Sequence, residues 1–170
     1  YTIAETVPAG WDLTSAVCTG TNSPDDITPN AGELVTCTFT NTKRGSITVD
    51  KVANPTNTGD SFNIVLAGDK FDSTLLKHGE NHTFSDLLPG TYFLYEVYPP
   101  SGGWSLDWRG AYCSDGQWYE FDDPIQLDPG ESFSCTFNNT RGGRIIVEKQ
   151  TNPNGAPGSF TFSGNVAGTI

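Results

Sequence analysis

The stretch YFLYEVY, residues 92–98, alternates in a way that predicts a β-strand with an acidic residue on a core face. Side chains in a strand point to alternate faces, so Glu96 shares its face with three large residues. The two faces consist of Tyr92, Leu94, Glu96 and Tyr98 on one side and Phe93, Tyr95 and Val97 on the other. A carboxylate that is buried without a partner is strongly destabilising. Glu96 therefore either lies on an open face or has a specific partner.

Two further segments place a polar residue at the end of an apolar face. In ITVDK, residues 47–51, Lys51 follows an isoleucine and a valine on the same side of the strand. In ESFSCTFNNT, residues 131–140, Asn139 follows two phenylalanines and a cysteine in the same way. The alternation thus directs one Lys, one Glu and one Asn toward the interior.

Turn signals separate these segments and favour an all-β fold. Clusters such as PNAGE, HGEN, LPG and DPGE recur at roughly 8 to 12 residue spacing, which is typical of antiparallel sandwiches. The sequence contains 19 Gly and 11 Pro and shows no convincing helical period. We therefore expect tandem antiparallel β-sandwich domains of about 95 residues each.

Three motifs occur twice and define a repeat. GSITVDK at 45–51 returns as GRIIVEK at 143–149, and CTFTNT at 37–42 returns as CTFNNT at 135–140, both 98 residues later. The strand YTIAETVP at 1–8 matches YFLYEVYP at 92–99, with an offset of 91 because the second copy has longer loops around its first cysteine. A fixed offset of this size indicates tandem domains.

The repeat predicts one complete domain and two partial ones. Residues 45–141 form the complete sandwich, 1–44 carry the later strands of a preceding repeat, and 142–170 carry the opening strands of a following one. The connectors NTKRG and NTRGG are short, which predicts a stiff array. Laid end to end, the two partial copies lack a counterpart of FDSTLLKHGENHTFSDLLPGT, so an exchange of strands between chains would not rebuild a whole domain.

The motifs together resemble bacterial surface domains of the Cna-B or prealbumin-like (reverse immunoglobulin-like) type. The resemblance covers essentially the whole chain, through G-x-I-x-V-x-K, L-x-P-G-x-Y-x-x-x-E-x-x-P and a closing strand that ends F-x-N-T. Many members of this family form a spontaneous bond between a first-strand Lys and a last-strand Asn. The resemblance implies Lys51 as the nucleophile, Asn139 as the amide that loses ammonia, and Glu96 as the proton shuttle.

The partial repeats carry copies of the same residues, namely Glu5, Asn41 and Lys149. Burial alone makes the chemistry plausible, because removal from water lowers the pKa of a Lys and raises that of a Glu. A protonated Glu could then hydrogen-bond the Asn carbonyl and stabilise charge that develops on it. The alternative is a buried Lys–Glu ion pair with Asn as a hydrogen-bond partner.

The four cysteines allow three pairings, and their repeated placement selects one. Each repeat has one Cys in the loop after its Trp segment and one in the last strand, which predicts Cys18–Cys37 and Cys113–Cys135. Such disulfides imply an oxidising, extracellular or cell-surface setting. A disulfide that already tethers the last strand also makes an isopeptide bond less necessary.

Charge and composition exclude several partners. A net charge of −11 and a pI near 4.3 disfavour nucleic acid and anionic membranes. We find no apolar run of the roughly 20 residues that a membrane helix needs. The expected partners are neighbouring copies of the same protein or repeats of the same polypeptide, and the sequence suggests no cofactor.

One alternative function remains, a binding module such as an adhesin. The segment at 102–124 is rich in aromatic and acidic residues, and we expect it to form expanded loops that contact a sugar, a protein or a neighbouring subunit. The candidates are Trp104, Trp108, Tyr112, Trp118 and Tyr119. An enzyme is not expected, because no catalytic motif is present and the only histidines, His78 and His82, fall in one polar turn.

Overall fold

The computed structural model describes residues 1–97, 102–165 and 168–169, with the side chains of 107–109 outside the description. These residues form thirteen β-strands and no helix. The strands are β1 (Trp11–Cys18), β2 (Cys37–Lys43), β3 (Gly45–Asn54), β4 (Phe62–Gly68), β5 (Asp72–Leu76), β6 (Asn81–Leu87), β7 (Gly90–Val97), β8 (Trp104–Cys113), β9 (Trp118–Glu120), β10 (Ile125–Leu127), β11 (Ser132–Arg141), β12 (Thr161–Phe162) and β13 (Gly168–Thr169). The prediction of an all-β fold is confirmed.

Strands β3 to β11 form a sandwich of two sheets. One sheet has the order β10-β7-β4-β5 and the other has the order β6-β3-β11-β8-β9. All pairs are antiparallel except β3 and β11, which run parallel over the nine positions from Ser132 opposite Ser46 to Thr140 opposite Asn54. Side chains from the inner faces of both sheets form the main core between them, and Ala53, Phe62 and Trp104 form a second, smaller buried cluster. The first and last strands of the sandwich are therefore direct neighbours at the centre of one sheet.

The alternation in the sequence determines which side chains enter this core. In β3, Ile47, Val49 and Lys51 are buried while the residues between them are partly exposed. In β7, Tyr92 and Leu94 are buried on the same face as Glu96. The predicted core faces of both strands are confirmed, and Tyr98 lies outside the described residues.

The two ends of the chain form small sheets of their own. Strands β1 and β2 make an antiparallel hairpin, and β12 pairs with β13. Between β11 and β12, residues 142–160 contain no strand, and most of residues 143–149 are exposed. Within the described residues, β2 pairs with β1 alone, whereas the equivalent strand β11 has neighbours on both edges.

A charged contact fixes the β1–β2 hairpin against the sandwich. The guanidinium of Arg44 donates two hydrogen bonds to the carboxylate of Asp12, from Nε at 2.7 Å and from Nη2 at 2.6 Å. Its Nη1 also donates to the carbonyl oxygen of Asp86 in β6. Because Arg44 lies between β2 and β3, the connector itself makes these contacts.

The aromatic segment at 102–124 differs from the expectation of loops. It forms the long strand β8 and the short strand β9, joined by a tight turn at 114–117. Strand β8 pairs with β11 on one side and β9 on the other, so the added residues extend the sheet. The described residues include no helix that is long and apolar enough to cross a membrane.

Candidate cross-linking site

Strands from both sheets bring three polar side chains together at one end of the core. Lys51 comes from β3, Asn139 from β11 and Glu96 from β7 in the opposite sheet. In the parallel register Lys51 lies opposite Phe137, so Asn139 is two residues further along the same face of the neighbouring strand. This diagonal placement suits a long lysine side chain that reaches along the strand direction.

The three side chains form a short hydrogen-bonded chain. Lys51 Nζ donates to Asn139 Oδ1 at 2.5 Å, and Asn139 Nδ2 donates to Glu96 Oε1 at 2.6 Å. The other carboxylate oxygen, Glu96 Oε2, lies 3.5 Å from Lys51 Nζ and closes the triangle. The structure thus brings together all three residues that the family resemblance implies for the complete domain.

The site is removed from water. The side chains of Lys51 and Glu96 are fully buried, and Asn139 is 1% exposed. Lys51 Nζ also donates to the backbone carbonyl oxygens of Val52 at 2.9 Å and Phe137 at 3.0 Å. In the described part of the chain, Lys51 and Asn139 are the only polar or charged residues that are buried as whole residues. One oxygen of this cluster, Glu96 Oε2, has no hydrogen-bond partner among the described residues and only the 3.5 Å ion contact with Lys51 Nζ.

Two aromatic side chains seal the site on its outer side. The ring of Phe62 lies 4.3 Å from Lys51 Nζ, and Trp104 packs edge-on against Phe62 with ring centroids 5.2 Å apart. Trp104 Nε1 donates to Asp60 Oδ2 at 2.9 Å, which fixes the indole in place. Sequence reasoning missed Phe62. The repeated SF pair at 61–62 and 159–160 was the available signal.

The carboxylate of Glu96 has a raised pKa. Burial raises it, while the positive charge of Lys51 and the hydrogen bond from Asn139 act in the opposite direction. Because burial wins, the protonated acid is easier to reach than it is for an exposed glutamate.

The position of Glu96 differs in one respect from the expectation. Glu96 contacts the amide nitrogen of Asn139 and Lys51 contacts the amide oxygen, whereas the expected contact was between Glu96 and the carbonyl. Charge explains this arrangement, because an ammonium donates to the oxygen and a carboxylate accepts from the NH₂ group. The carboxylate therefore lies beside the group that leaves if the amide is replaced.

The partial copy at the start of the chain repeats half of the site. Asn41 Nδ2 donates to Glu5 Oε1 at 2.7 Å, as Asn139 does to Glu96. Asn41 Oδ1 is buried and has no hydrogen-bond partner within the described residues. At the other end, the ring of Phe160 lies 4.0 Å from Lys149 Nζ, as that of Phe62 does near Lys51.

Both disulfides are present in the structure. Cys18 bonds Cys37 across the β1–β2 hairpin, and Cys113 bonds Cys135 between β8 and β11. Each bond joins residues that lie directly opposite each other in an antiparallel pair. The first cysteine of each pair ends a strand, where the sequence suggested a loop after the Trp segment.

The aromatic candidates do not form one surface. Trp104 is buried beside Phe62, so it is not available to a ligand as expected. Tyr119 packs against Phe133 and donates its hydroxyl hydrogen to Asp115. Tyr112 and Trp118 remain exposed, at 46% and 42%, with their rings 5.3 Å apart. The side chain of Trp108 lies outside the described residues.

Comparison with known proteins supports the fold class. Residues 1–43 match the family model SpaA_4, a prealbumin-like fold domain. The motifs of this segment recur at residues 92–141, where they form the closing strands of the sandwich. The all-β sandwich of strands β3 to β11 agrees with this prealbumin-like fold class. No curated protein sequence matches the chain.

Several solved structures align with the chain at low identity. The major pilin T-13 of Streptococcus pyogenes is 16% identical with a TM-score of 0.48, over 61% of this chain and 48% of that one. The major pilin T3.2 of the same species is 17% identical with a TM-score of 0.46, over 83% and 65%. A Mobiluncus mulieris adhesin that contains intramolecular disulfide, isopeptide and ester cross-links is 13% identical with a TM-score of 0.45, over 73% and 54%. The chain spans less than two thirds of the length of each.

Proposed function

We propose that this chain is a structural segment of an extracellular fibre or cell-surface stalk, and that a Lys51–Asn139 isopeptide bond locks its middle sandwich. One observation carries the proposal: Lys51 Nζ lies 2.5 Å from the side-chain amide of Asn139 in a dry core, with Glu96 hydrogen-bonded to the same amide. The fold already holds the two groups close together in a fixed geometry, so their reaction avoids the entropy loss that two free groups would incur. The role is mechanical, without substrate turnover.

The reaction balances with the groups that are present. A proton passes from the Lys51 ammonium to Glu96, and the neutral Nζ attacks Asn139 Cγ. The new C–N bond forms as the bond from Cγ to Nδ2 breaks, with protons relayed by Glu96 to the departing nitrogen. The ammonium and the carboxamide become a secondary amide and an ammonium ion, and Glu96 ends as a carboxylate. The 2.6 Å contact between Glu96 and Nδ2 suits this relay.

The position of the bond suits a load-bearing domain. Because β3 and β11 are parallel neighbours, a pull on the two ends of the domain shears one strand along the other. With the bond in place, force enters through β3, crosses from Lys51 to Asn139 and leaves through the last residues of β11. The hydrogen bonds of the remaining strands lie outside this path.

Two features support an extracellular array. Disulfides persist in oxidising compartments, and this chain contains one in each of two repeats. The repeated motifs support the division into a partial repeat at 1–44, a complete one at 45–141 and another partial one at 142–170. Neighbouring copies or repeats of the same polypeptide are then the partners, with no role for nucleic acid.

The intact mass of the fully reduced chain tests the bond. We expect the loss of one ammonia, which maps to a branched peptide that joins Lys51 to Asn139. Glu96→Ala should abolish this loss, whereas Glu5→Ala, which alters the same residue type in the partial copy, should leave the branched peptide unchanged. An unshifted mass in a folded, oxidised chain would leave a buried ion pair and contradict the proposal.

The exposed ring pair on β8 and β9 favours a second candidate function, a binding surface for a sugar or a partner protein. Tyr112 and Trp118 are cross-strand neighbours, and both present ring area to solvent. A screen against glycans would support this function if binding is lost in Trp118→Ala and retained in Phe71→Ala, which alters an exposed aromatic residue elsewhere.

A further inference from the structure

Strand β3 continues past its neighbour β6 at the point where it carries the reactive lysine. The first residue of β6, Asn81, lies opposite Asp50, so the next residues of β3 face the turn at 77–80 that leads into β6. On the other edge of β3 the pairing with β11 goes on, and Ala53 lies opposite Asn139. The site therefore lies on a part of β3 that a strand holds on one side and a turn holds on the other.

The turn holds β3 through hydrogen bonds at two successive inward-facing residues. Lys51 N donates to the carbonyl oxygen of Glu80 at 3.0 Å, and Lys51 O accepts from Gly79 N at 2.8 Å. The next bond uses a side chain, since Ala53 N donates to Nδ1 of His78 at 3.1 Å. The imidazole therefore takes the place of the backbone carbonyl that a longer β6 would have offered.

This hydrogen bond requires the neutral form of His78. An imidazole nitrogen that accepts from an N–H group carries no proton, so the neutral ring holds its proton on Nε2. An imidazolium ion has N–H groups at both nitrogens and cannot accept a hydrogen bond. Protonation of His78 would therefore place two donors against each other at Ala53 N and break the contact.

Solvent reaches His78, whereas it does not reach the reactive groups. His78 is exposed, and together with Ala53 it lines a cavity of about 350 Å³. The charged residues around the same cavity are Lys77 and Glu80 from the turn and Asp60 from the loop before β4. The side chains of the reactive lysine and of the glutamate beside it are fully buried. A proton from solution can therefore act on His78 without entering the core.

Ala53 connects this contact to the reactive pair. It is buried on the same face of β3 as Lys51, and it is the direct neighbour of Asn139 across the strand pair. It also packs with Phe62 and Trp104 in the smaller buried cluster. A shift of β3 at Ala53 would therefore move the lysine relative to the amide, and a displacement of about 1 Å is enough to slow a positioned reaction strongly.

We propose that His78 is a positioning residue for the contact between Lys51 and Asn139, and that it acts only as the neutral imidazole. The inference rests on the function proposed for the middle sandwich, because this contact precedes the bond. While the ring is neutral, it holds β3 at Ala53 and keeps Lys51 Nζ 2.5 Å from the amide oxygen. Once the ring is protonated, it releases β3 and the contact opens more often.

The rate of ammonia loss tests the positioning role at about pH 8, where imidazoles are neutral. The full chain and its variants are refolded from urea in a glutathione buffer that forms both disulfides, and the intact mass is followed with time. His78→Ala should slow the loss by about fivefold, because one hydrogen bond to β3 is missing. His78→Asn should restore the rate to within about twofold, because Asn Oδ1 can accept at the position of Nδ1. His82→Asn, at the other histidine, should leave the rate unchanged.

Hydrogen exchange of the Ala53 amide tests the proton dependence without any bond. Glu96→Gln provides the background, since a glutamine still accepts from Asn139 but relays no proton. The protection of the Ala53 N–H group, corrected for the intrinsic exchange rate at each pH, should fall by about fivefold from about pH 7.5 to about pH 5. When His78→Asn is added to this background, the protection should stay constant, because an amide side chain does not titrate.

These measurements separate the inference from the proposed function. Equal rates of ammonia loss in His78→Ala and the wild-type chain overturn the inference and leave the bond intact, as do equally slow rates in His78→Ala and His78→Asn. Ammonia loss in no chain overturns the isopeptide part of the proposed function, and the exchange measurement then decides the inference alone. Protection of Ala53 that does not change with pH in the chain with His78 also overturns the inference.

Discussion

Lys51 lies directly opposite Phe137 in the parallel strand pair, and its Nζ donates a hydrogen bond to the Phe137 carbonyl oxygen at 3.0 Å. The Val52 carbonyl oxygen and Asn139 Oδ1 also accept hydrogen bonds from Nζ. The Lys51 ammonium therefore has three acceptors for its three N–H donors. The backbone of the two strands thus holds the lysine in register with the amide before any bond forms. The strand pairing itself is the positioning device.

The first prediction concerns the pH dependence of stability when the cation is removed. In Lys51→Met no bond forms. The pKa of Glu96, already raised by burial, rises further because the positive charge of Lys51 no longer lowers it. The folded state then binds more protons than the unfolded state, so stability is highest below the ordinary glutamate pKa and falls as pH rises. Urea unfolding between about pH 4 and 8 measures this slope.

The matched control adds Glu96→Gln to Lys51→Met. This double variant has no carboxylate to titrate in the core, so the slope should flatten. At pH 7 it should be more stable than the single variant by about 3 kcal/mol, because an unpaired buried charge is gone. Equal pH profiles for the two variants would contradict the burial of Glu96.

The second prediction concerns the aromatic seal. Phe62→Ala removes the ring beside Lys51 Nζ and the surface on which Trp104 packs. We expect a loss of about 3 to 5 kcal/mol in unfolding free energy, measured in the Glu96→Ala background where no bond forms. With Glu96 intact, water that enters the cavity should slow ammonia loss, which time-resolved intact mass would record. Phe71→Ala, at an exposed ring, should change neither quantity.

The third prediction separates the two kinds of covalent bond. Replacement of Cys113 and Cys135 by Ala opens a disulfide with a sequence separation of 22 residues, which should cost about 3 kcal/mol in the chain-entropy model. The isopeptide should still form, because Lys51 and Asn139 pair through β3 and β11. Replacement of Cys18 and Cys37 should leave unfolding of the sandwich unchanged. Loss of the branched peptide in the first variant would show that the two bonds depend on each other.

The fourth prediction concerns the connector. Arg44→Ala removes the paired hydrogen bonds to Asp12, whose side chain is 26% exposed. A partly exposed ion pair contributes little, so the unfolding free energy should fall by less than about 1 kcal/mol. The larger effect should be on the orientation of the β1–β2 hairpin relative to the sandwich. The residual dipolar couplings of the hairpin should become smaller than those of the sandwich. Lys70→Ala, which breaks the exposed pair with Asp72, is the control.

Alternation and repetition in the sequence were enough to predict the core faces and to select the residues of the site. The two-residue alternation along each strand predicts that Lys51, Glu96 and Asn139 point inward. The structure agrees because each of these strands buries one face. The contacts of Trp104 could not be read in this way, since its burial depends on Phe62 in a distant strand. The side of the amide that Glu96 contacts depends on the local charges. Strands β8 and β9 were missed because their aromatic residues resemble a binding loop.

Strand β11 has one further property, which follows from Cys135 and Asn139. Cys135 bonds β8 on one side, and Asn139 meets Lys51 of β3 on the other. With the proposed bond, residues 51–139 become a closed ring, and the disulfide adds a chord across it. One cut by a protease anywhere in that ring would leave the two ends of the domain connected. Damage to the surface of such a segment would therefore accumulate without severing it.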